Sequence, residues 1–170
     1  VDLIIAAGWS GDGMGAGLYR LRAEYDSVAR NVGGTGGNSK IDHVLVLLGL
    51  TSLRSVKQSL GELALQQAHL TRFDITEDVV RILAGKCLDV FLDPTCHPCG
   101  GRGFNGGGRH EMAGPQVWCK HCNKTGKRDE DDLGRNDAER KFVHHLLYLM
   151  ERSTSNAEQG MKRRLQSHSE

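Results

Sequence analysis

Several features that mark common protein classes are missing from this 170-residue chain. Its apolar runs are far shorter than the ~20 residues that a membrane-spanning helix needs. The first residues include Asp2, where a secretory signal would carry basic residues. The 22 basic residues nearly balance the 21 acidic ones, so the net charge of +1 gives no overall attraction to nucleic acids or membranes. We therefore expect a soluble, cytoplasmic protein whose electrostatic interactions are local.

Signatures of catalysis are also missing. A glycine cluster over 33–37 continues as Gly37-Asn38-Ser39-Lys40, whereas a phosphate-binding loop has the order Gly-Lys-Ser/Thr. We find neither paired catalytic carboxylates nor a nucleophile motif. His144 and His145 are adjacent, so on a helix they point apart and lack the spacing of metal ligands. The sequence predicts that the protein is not an enzyme and has no small-molecule substrate.

Apolar residues recur at the three- and four-residue spacing of amphipathic helices. Aromatic residues make up only 5% of the chain, so Leu, Val and Ile must supply most of the core. Helical stripes cover 18–28, 53–64, 79–91 and 142–150. Asp74 with Glu77, and Asn136 with Glu139, have the spacing of N-terminal capping boxes, and Pro94 ends the third stripe. The fold class is therefore predicted to be mainly α.

Four cysteines interrupt this helical pattern in two closely spaced pairs. Cys96 and Cys99 are followed, after nineteen residues, by Cys119 and Cys122, and this two-pair spacing is typical of a zinc site. Four thiolates fill a tetrahedral coordination sphere and leave no position for water, so we predict one structural Zn²⁺. The fifth cysteine, Cys87, lies on an apolar helical face and is expected in the core.

Two other roles for the paired cysteines are weaker alternatives. Disulfides need an oxidising compartment, which nothing in the sequence indicates, and a redox pair would follow a strand and open a helix. Glycines at 101, 103 and 126 instead permit left-handed turns whose amides point at thiolates. This favours a zinc-bound hairpin inserted in a helical domain.

The sequence divides into five parts on this interpretation. A glycine-rich segment with one helix covers 1–40, with a loop over 8–17. A helical region covers 41–94, the zinc finger 95–128, and an acidic linker with the C-terminal helix 129–152. The polar tail, 153–170, is expected to fray or to become ordered only against a partner.

Two groups of residues are candidates for contact with DNA. The finger contains six basic residues and one acidic residue, Glu111. Zinc with four thiolates adds two negative charges, so the net charge of the finger is about +3. The basic residues are Arg102, Arg109, Lys120, Lys124, Lys127 and Arg128. The second group is Arg54, Lys57 and Gln58, on the outer face of a predicted helix-turn-helix with Gly49 in its turn. An ordinary helical hairpin is the alternative for that segment.

The first cysteine pair, continued as Gly100-Gly101-Arg102-Gly103, resembles the Cys-x-x-Cys-x-Gly-x-Gly repeat of DnaJ-type zinc fingers. The second unit has Lys124 at the first glycine position. Two such repeats between helices resemble the late-gene antitermination proteins Q of lambdoid phages. That resemblance implies a DNA-binding transcription regulator in the cytoplasm of a bacterial host, with RNA polymerase as a partner. A DnaJ-like protein-interaction module is the alternative function.

Overall fold

The computed structural model describes residues 13–32, 53–105 and 117–167. Four α-helices in these ranges are α1 (Met14–Val32), α2 (Leu53–Thr71), α3 (Glu77–Leu92) and α4 (Asp137–Ser167). Between α3 and α4 lies an antiparallel hairpin of β1 (Phe104–Asn105) and β2 (Val117–Trp118). The predicted fold class, a mainly helical domain with an inserted hairpin, is confirmed.

The apolar stripes of the four helices form one core. α1 packs against α4 and α2, and α3 packs against both α2 and α4. The largest fully buried side chains include Leu18, Leu21, Leu60, Leu83, Leu88, Phe142, Leu146 and Met150. Cys87 is also fully buried among them, as predicted, and burial raises the pKa of its thiol to about 12. None of the described helices is both long and apolar enough to cross a membrane.

Helices α2 and α3 run antiparallel, which sets the position of the hairpin. A Cβ atom built on Gly85 would lie 3.6 Å from Lys57 Cε, and one on Gly61 would lie 3.9 Å from an Arg81 guanidinium nitrogen. Later residues of α2 therefore lie beside earlier residues of α3. The N-terminal turn of α2 consequently lies near the C-terminal end of α3, where the chain enters the cysteine region.

Helix boundaries differ from the predictions in three places. Helix α1 already begins at Met14, so the predicted loop over 8–17 is wrong at its C-terminal end. Helix α3 has Thr76 as its N-cap with no side-chain cap, so the Asp74 box is wrong. Helix α4 continues to Ser167, well beyond the predicted end at 152. The tail is helical because Ser153 and Ala157 are buried, which extends the inner face of α4 by two turns.

The start of α4 carries the second predicted capping box. The backbone N–H of Glu139 donates to Asn136 Oδ1 at 2.9 Å, as the pattern requires. The Glu139 carboxylate reaches one residue further back than predicted, where it accepts from the N–H of Arg135 at 2.8 Å. The hydrogen bonds that the carboxylate accepts from the backbone and the guanidinium of Arg135 lower the pKa of the buried Glu139. The segment 41–52, with Gly49 and the proposed first helix of the helix-turn-helix, lies outside the described residues.

The acidic run that follows the finger folds back onto α4. His144 Nε2 lies 2.8 Å from Asp131 Oδ1, and His144 Nδ1 lies 3.1 Å from Glu130 Oε2. Lys86 also donates to the carbonyl of Leu133, at 3.2 Å. These contacts fasten the segment before α4 to both α3 and α4.

The histidine contact should make the attachment of this segment depend on pH. The hydrogen bond to Asp131 and the charge of Glu130 raise the pKa of His144. A raised pKa in the folded state stabilises the fold fully below the unfolded pKa of about 6.5, and this contribution is lost as pH rises through the folded value. An NMR titration should place the pKa of His144 above that of a free histidine. Asp131→Asn should lower it, and an unchanged value in this variant would contradict the assignment; Asp132→Asn, a neighbouring change of equal charge, is the control.

Candidate metal centre

The four cysteines of the paired motif come together in one buried cluster. All four are at most 3% exposed, and their sulfur atoms lie within 4.8 Å of one another. Sγ of Cys96 is 3.8 Å from Sγ of Cys119, and Sγ of Cys99 is 3.7 Å from Sγ of Cys122. The predicted ligand set is thus brought together by the fold.

These distances match a zinc site and exclude disulfides. Zinc–sulfur bonds of about 2.3 Å in a tetrahedron place the sulfurs about 3.8 Å apart, whereas a disulfide joins them at about 2.05 Å. The sulfurs come from two separate turns and fill all four positions, so the cluster is a site for one structural zinc ion. When bound, zinc would supply only cohesion, since no coordination position stays open for chemistry.

The two cysteine turns are built alike. After each pair the chain passes through three residues with positive φ, at 57°, 79° and 76° for Gly100, Gly101 and Gly103. The matching values after the second pair are 46°, 74° and 75° for Asn123, Lys124 and Gly126. Lys124 therefore adopts the left-handed conformation of the glycine that it replaces, at a cost of about 1–2 kcal/mol.

Backbone amides point at one thiolate in each turn. The N–H of Gly103 donates to Cys99 Sγ and the N–H of Gly126 donates to Cys122 Sγ, both at 3.3 Å. This confirms the expectation for Gly103 and Gly126, because the left-handed turn is what aims these amides inward. The N–H of Gly101 donates to the carbonyl of Cys96 instead, at 3.2 Å. Hydrogen bonds to the charged form stabilise a thiolate and orient it for a metal.

The thiols differ in their acidity. Burial raises the pKa of Cys96 to about 12. Burial acts in the same direction on Cys99, but the Gly103 N–H and the neighbouring thiols outweigh it and lower its pKa to about 7. Acid should displace the metal, because zinc binds the deprotonated ligands.

Backbone hydrogen bonds close the finger at its base. The N–H of Cys96 donates to Gly126 O at 2.8 Å, and the N–H of Cys119 donates to Gly103 O at 2.9 Å, so each turn holds the start of the other. Thr95 pairs with Lys127 in an antiparallel bridge, and the N–H of Arg128 donates to Pro94 O at 2.8 Å. The chain thus enters and leaves the finger side by side.

The predicted DNA-contacting residues lie on the surface. Arg54, Lys57 and Gln58 are exposed near the N-terminal end of α2, although Gln58 also bonds to Glu62. In the finger, Arg102, Lys120, Lys124 and Lys127 are exposed and Arg128 is half-buried. Arg109 lies outside the described residues. Both groups lie toward the same end of the helical domain. Lys57 lies beside Gly85 of α3, and α3 ends at Leu92, shortly before the chain enters the finger.

Two features of the site were missed in the sequence. Trp118 is exposed on β2, next to a zinc ligand, and Lys124 Nζ lies 5.0 Å from the centre of its ring. The position of this tryptophan beside a cysteine pair could have indicated a strand residue. The contacts of His144 with Glu130 and Asp131 gave no local signal, since they join residues thirteen and fourteen positions apart.

Three comparisons with known proteins found no relative of this chain. No family model matches the chain, and neither the curated proteins nor the solved structures contain a significant match.

Proposed function

We propose that this protein is a zinc-containing, DNA-binding transcription regulator of phage or prophage origin that acts by antitermination on RNA polymerase in its bacterial host. The observation that carries the proposal is the placement of two basic groups. The exposed side chains at the start of α2 and those of the finger lie toward one end of the molecule. Phosphate contacts from both groups could then act on one duplex.

The charge of the finger supports this proposal. Its described residues, 95–105 and 117–128, include five basic and no acidic side chains. A zinc ion with four thiolates removes about two of these charges and leaves an excess of about +3 on a small, rigid surface. Two of the four acidic residues that follow the finger, Glu130 and Asp131, contact His144 on α4.

Duplex binding at increasing salt tests the proposal. We expect the full zinc-loaded protein to bind mixed-sequence duplex DNA with an affinity that falls steeply with salt. A plot of the logarithm of the association constant against the logarithm of salt concentration should have a slope of about −0.9 per phosphate contact. Arg54→Ala/Lys57→Ala should weaken binding about tenfold and reduce the slope by about 2. Fluorescence anisotropy measures both quantities.

Arg152→Ala/Arg163→Ala is the matched control. It removes the same charge from exposed positions later on α4 and should leave duplex affinity nearly unchanged. Equal losses in the two double variants would show only nonspecific attraction and would contradict the proposed surface. Read-through of a terminator by bacterial RNA polymerase, with and without the protein, tests the antitermination step directly.

A DnaJ-like protein-interaction module is the second candidate function. It is favoured by one observation, the exposure of Val117 and Trp118 at 55% and 56% on the hairpin. Apolar side chains of this size are more often buried, and exposed ones at a surface indicate a binding site when they are grouped. Binding of a protein partner that persists at high salt, without duplex binding, would favour this function.

A further inference from the structure

The hairpin presents two aromatic rings together with two cations. Phe104 and Trp118 are cross-strand partners, so their side chains lie on the same face of the hairpin. Trp118 is 56% exposed, and the Lys124 ammonium lies 5.0 Å from its ring centre. The Arg102 guanidinium carbon lies 5.6 Å from the ring centre of Phe104. We call Arg102, Phe104, Trp118 and Lys124 the aromatic face of the finger.

We infer that the aromatic face binds single-stranded DNA, with an unpaired base stacked on Trp118 and flanking phosphates near Arg102 and Lys124. Proteins that hold single strands combine a positive groove with aromatic rings, because every base has a face that can stack. The exposed Lys120 and Lys127 extend the positive charge around the same hairpin. The excess of positive charge around the ring favours a ligand that carries phosphates.

The zinc site makes this face rigid before any ligand arrives. Trp118 directly precedes the ligand Cys119, whose N–H is fixed by Gly103 O at 2.9 Å. Arg102, two residues before Phe104, donates through Nε to the carbonyl of the ligand Cys99 at 3.1 Å. Both rings and both cations are therefore attached to backbone that the metal holds in place. A pre-ordered face loses little conformational entropy on binding.

This inference goes beyond the proposed contact with duplex DNA. Stacking needs a base that is free of its partner strand, such as the bases of a melted duplex, whereas the contacts proposed for α2 and the basic residues of the finger are made to the phosphates on the outside of a duplex. The choice of DNA over RNA rests on the proposed function, since the ring and the two cations accept either backbone. The two functions can fail separately.

The test compares single strands with a duplex on the full zinc-loaded protein. Labelled twelve-nucleotide oligodeoxythymidine, oligouridine of the same length, and a mixed-sequence duplex serve as probes in anisotropy titrations. Trp118→Ala should weaken binding of oligodeoxythymidine about tenfold, the effect of losing one stacked base. Trp118→Phe should recover most of the affinity for oligodeoxythymidine. In both Trp118 variants the affinity for the duplex should stay within about twofold of the wild-type value.

Tyr148→Ala is the matched control, because this aromatic side chain on α4 is 57% exposed. It should change neither affinity. Since Trp118 adjoins a zinc ligand, Lys124→Gln gives a second test that leaves both strands intact. It should reduce the salt slope for the single strand by about 0.7, the value of one phosphate contact. Zinc content should remain at one equivalent in every variant.

Each result decides the inference. Wild-type protein that does not bind the single strand, or Trp118→Ala protein that binds it as tightly as the wild type, would overturn the inference. Tighter, Trp118-dependent binding of oligouridine would overturn DNA as the ligand. Trp118-dependent binding of oligodeoxythymidine without any duplex binding would support this inference, while the proposed contact of α2 and the finger with duplex DNA would fail.

Discussion

Replacing Cys119 with alanine is expected to abolish stoichiometric zinc binding and to unfold the finger while the four helices persist. The binding free energy of a structural zinc site is about 10 kcal/mol or more, and the finger has little else to hold it. Among the described residues of the finger, the four cysteines supply the buried side chains, and they form a cluster separate from the helical core. Elemental analysis should show a loss of zinc, and amide exchange should become fast over the finger but stay slow over α3 and α4.

Cys87→Ala is the control for this experiment. Cys87 is as deeply buried as the ligands but belongs to the helical core, so this variant should keep one zinc ion and lose about 1–2 kcal/mol of unfolding free energy. Collapse of the whole circular dichroism signal on removal of zinc from the wild-type protein would show that finger and helices fold as one unit. That result would contradict the expectation.

The second large effect is expected from Gly126→Ala. A Cβ atom at Gly126 would lie 2.2 Å from Gly101 O, and the residue has a φ of +75°. The two cysteine turns would have to separate, which would break the hydrogen bond from Cys96 N–H to Gly126 O. We expect the zinc affinity to fall about 100-fold or more, since a backbone clash adds to the strain of a left-handed alanine.

Gly100→Ala provides the comparison. Gly100 also has a positive φ, +57°, but a Cβ atom there would meet nothing within 4 Å. It should cost only the conformational strain, about 1 kcal/mol or roughly fivefold in affinity. Competition with a chromophoric chelator measures both variants. Equal affinities of the two would show that the close approach of the turns contributes nothing to the metal site.

Local patterns in the sequence were sufficient for the ligands and for most of the helices. The cysteine spacing identified the four ligands because a tetrahedral site needs two short turns, and the glycines marked the residues that donate to the thiolates. Asn136 and Glu139 likewise marked the start of α4, since a capping box is a contact between near neighbours.

Contacts between distant residues could not be read in the same way. The polar composition after residue 152 predicted a frayed tail, yet two small buried residues, Ser153 and Ala157, are enough to continue α4 against its neighbours. The Asp74 box had the correct spacing, but the chain at Thr76 is extended and the helix begins after it. Tertiary packing decided both cases, and a short window of sequence does not contain it.

Because the chain enters and leaves the finger side by side, the zinc ion cross-links the long connection between α3 and α4. Without it, roughly 40 residues connect α3 to α4, and loop-closure entropy opposes the packing of these two helices. With Thr95 held beside Lys127, the effective connection shrinks to about a dozen residues, which lowers that entropic cost by about 1 kcal/mol. A metal that touches no residue of the helical core thus still tightens it, by shortening the connection between α3 and α4.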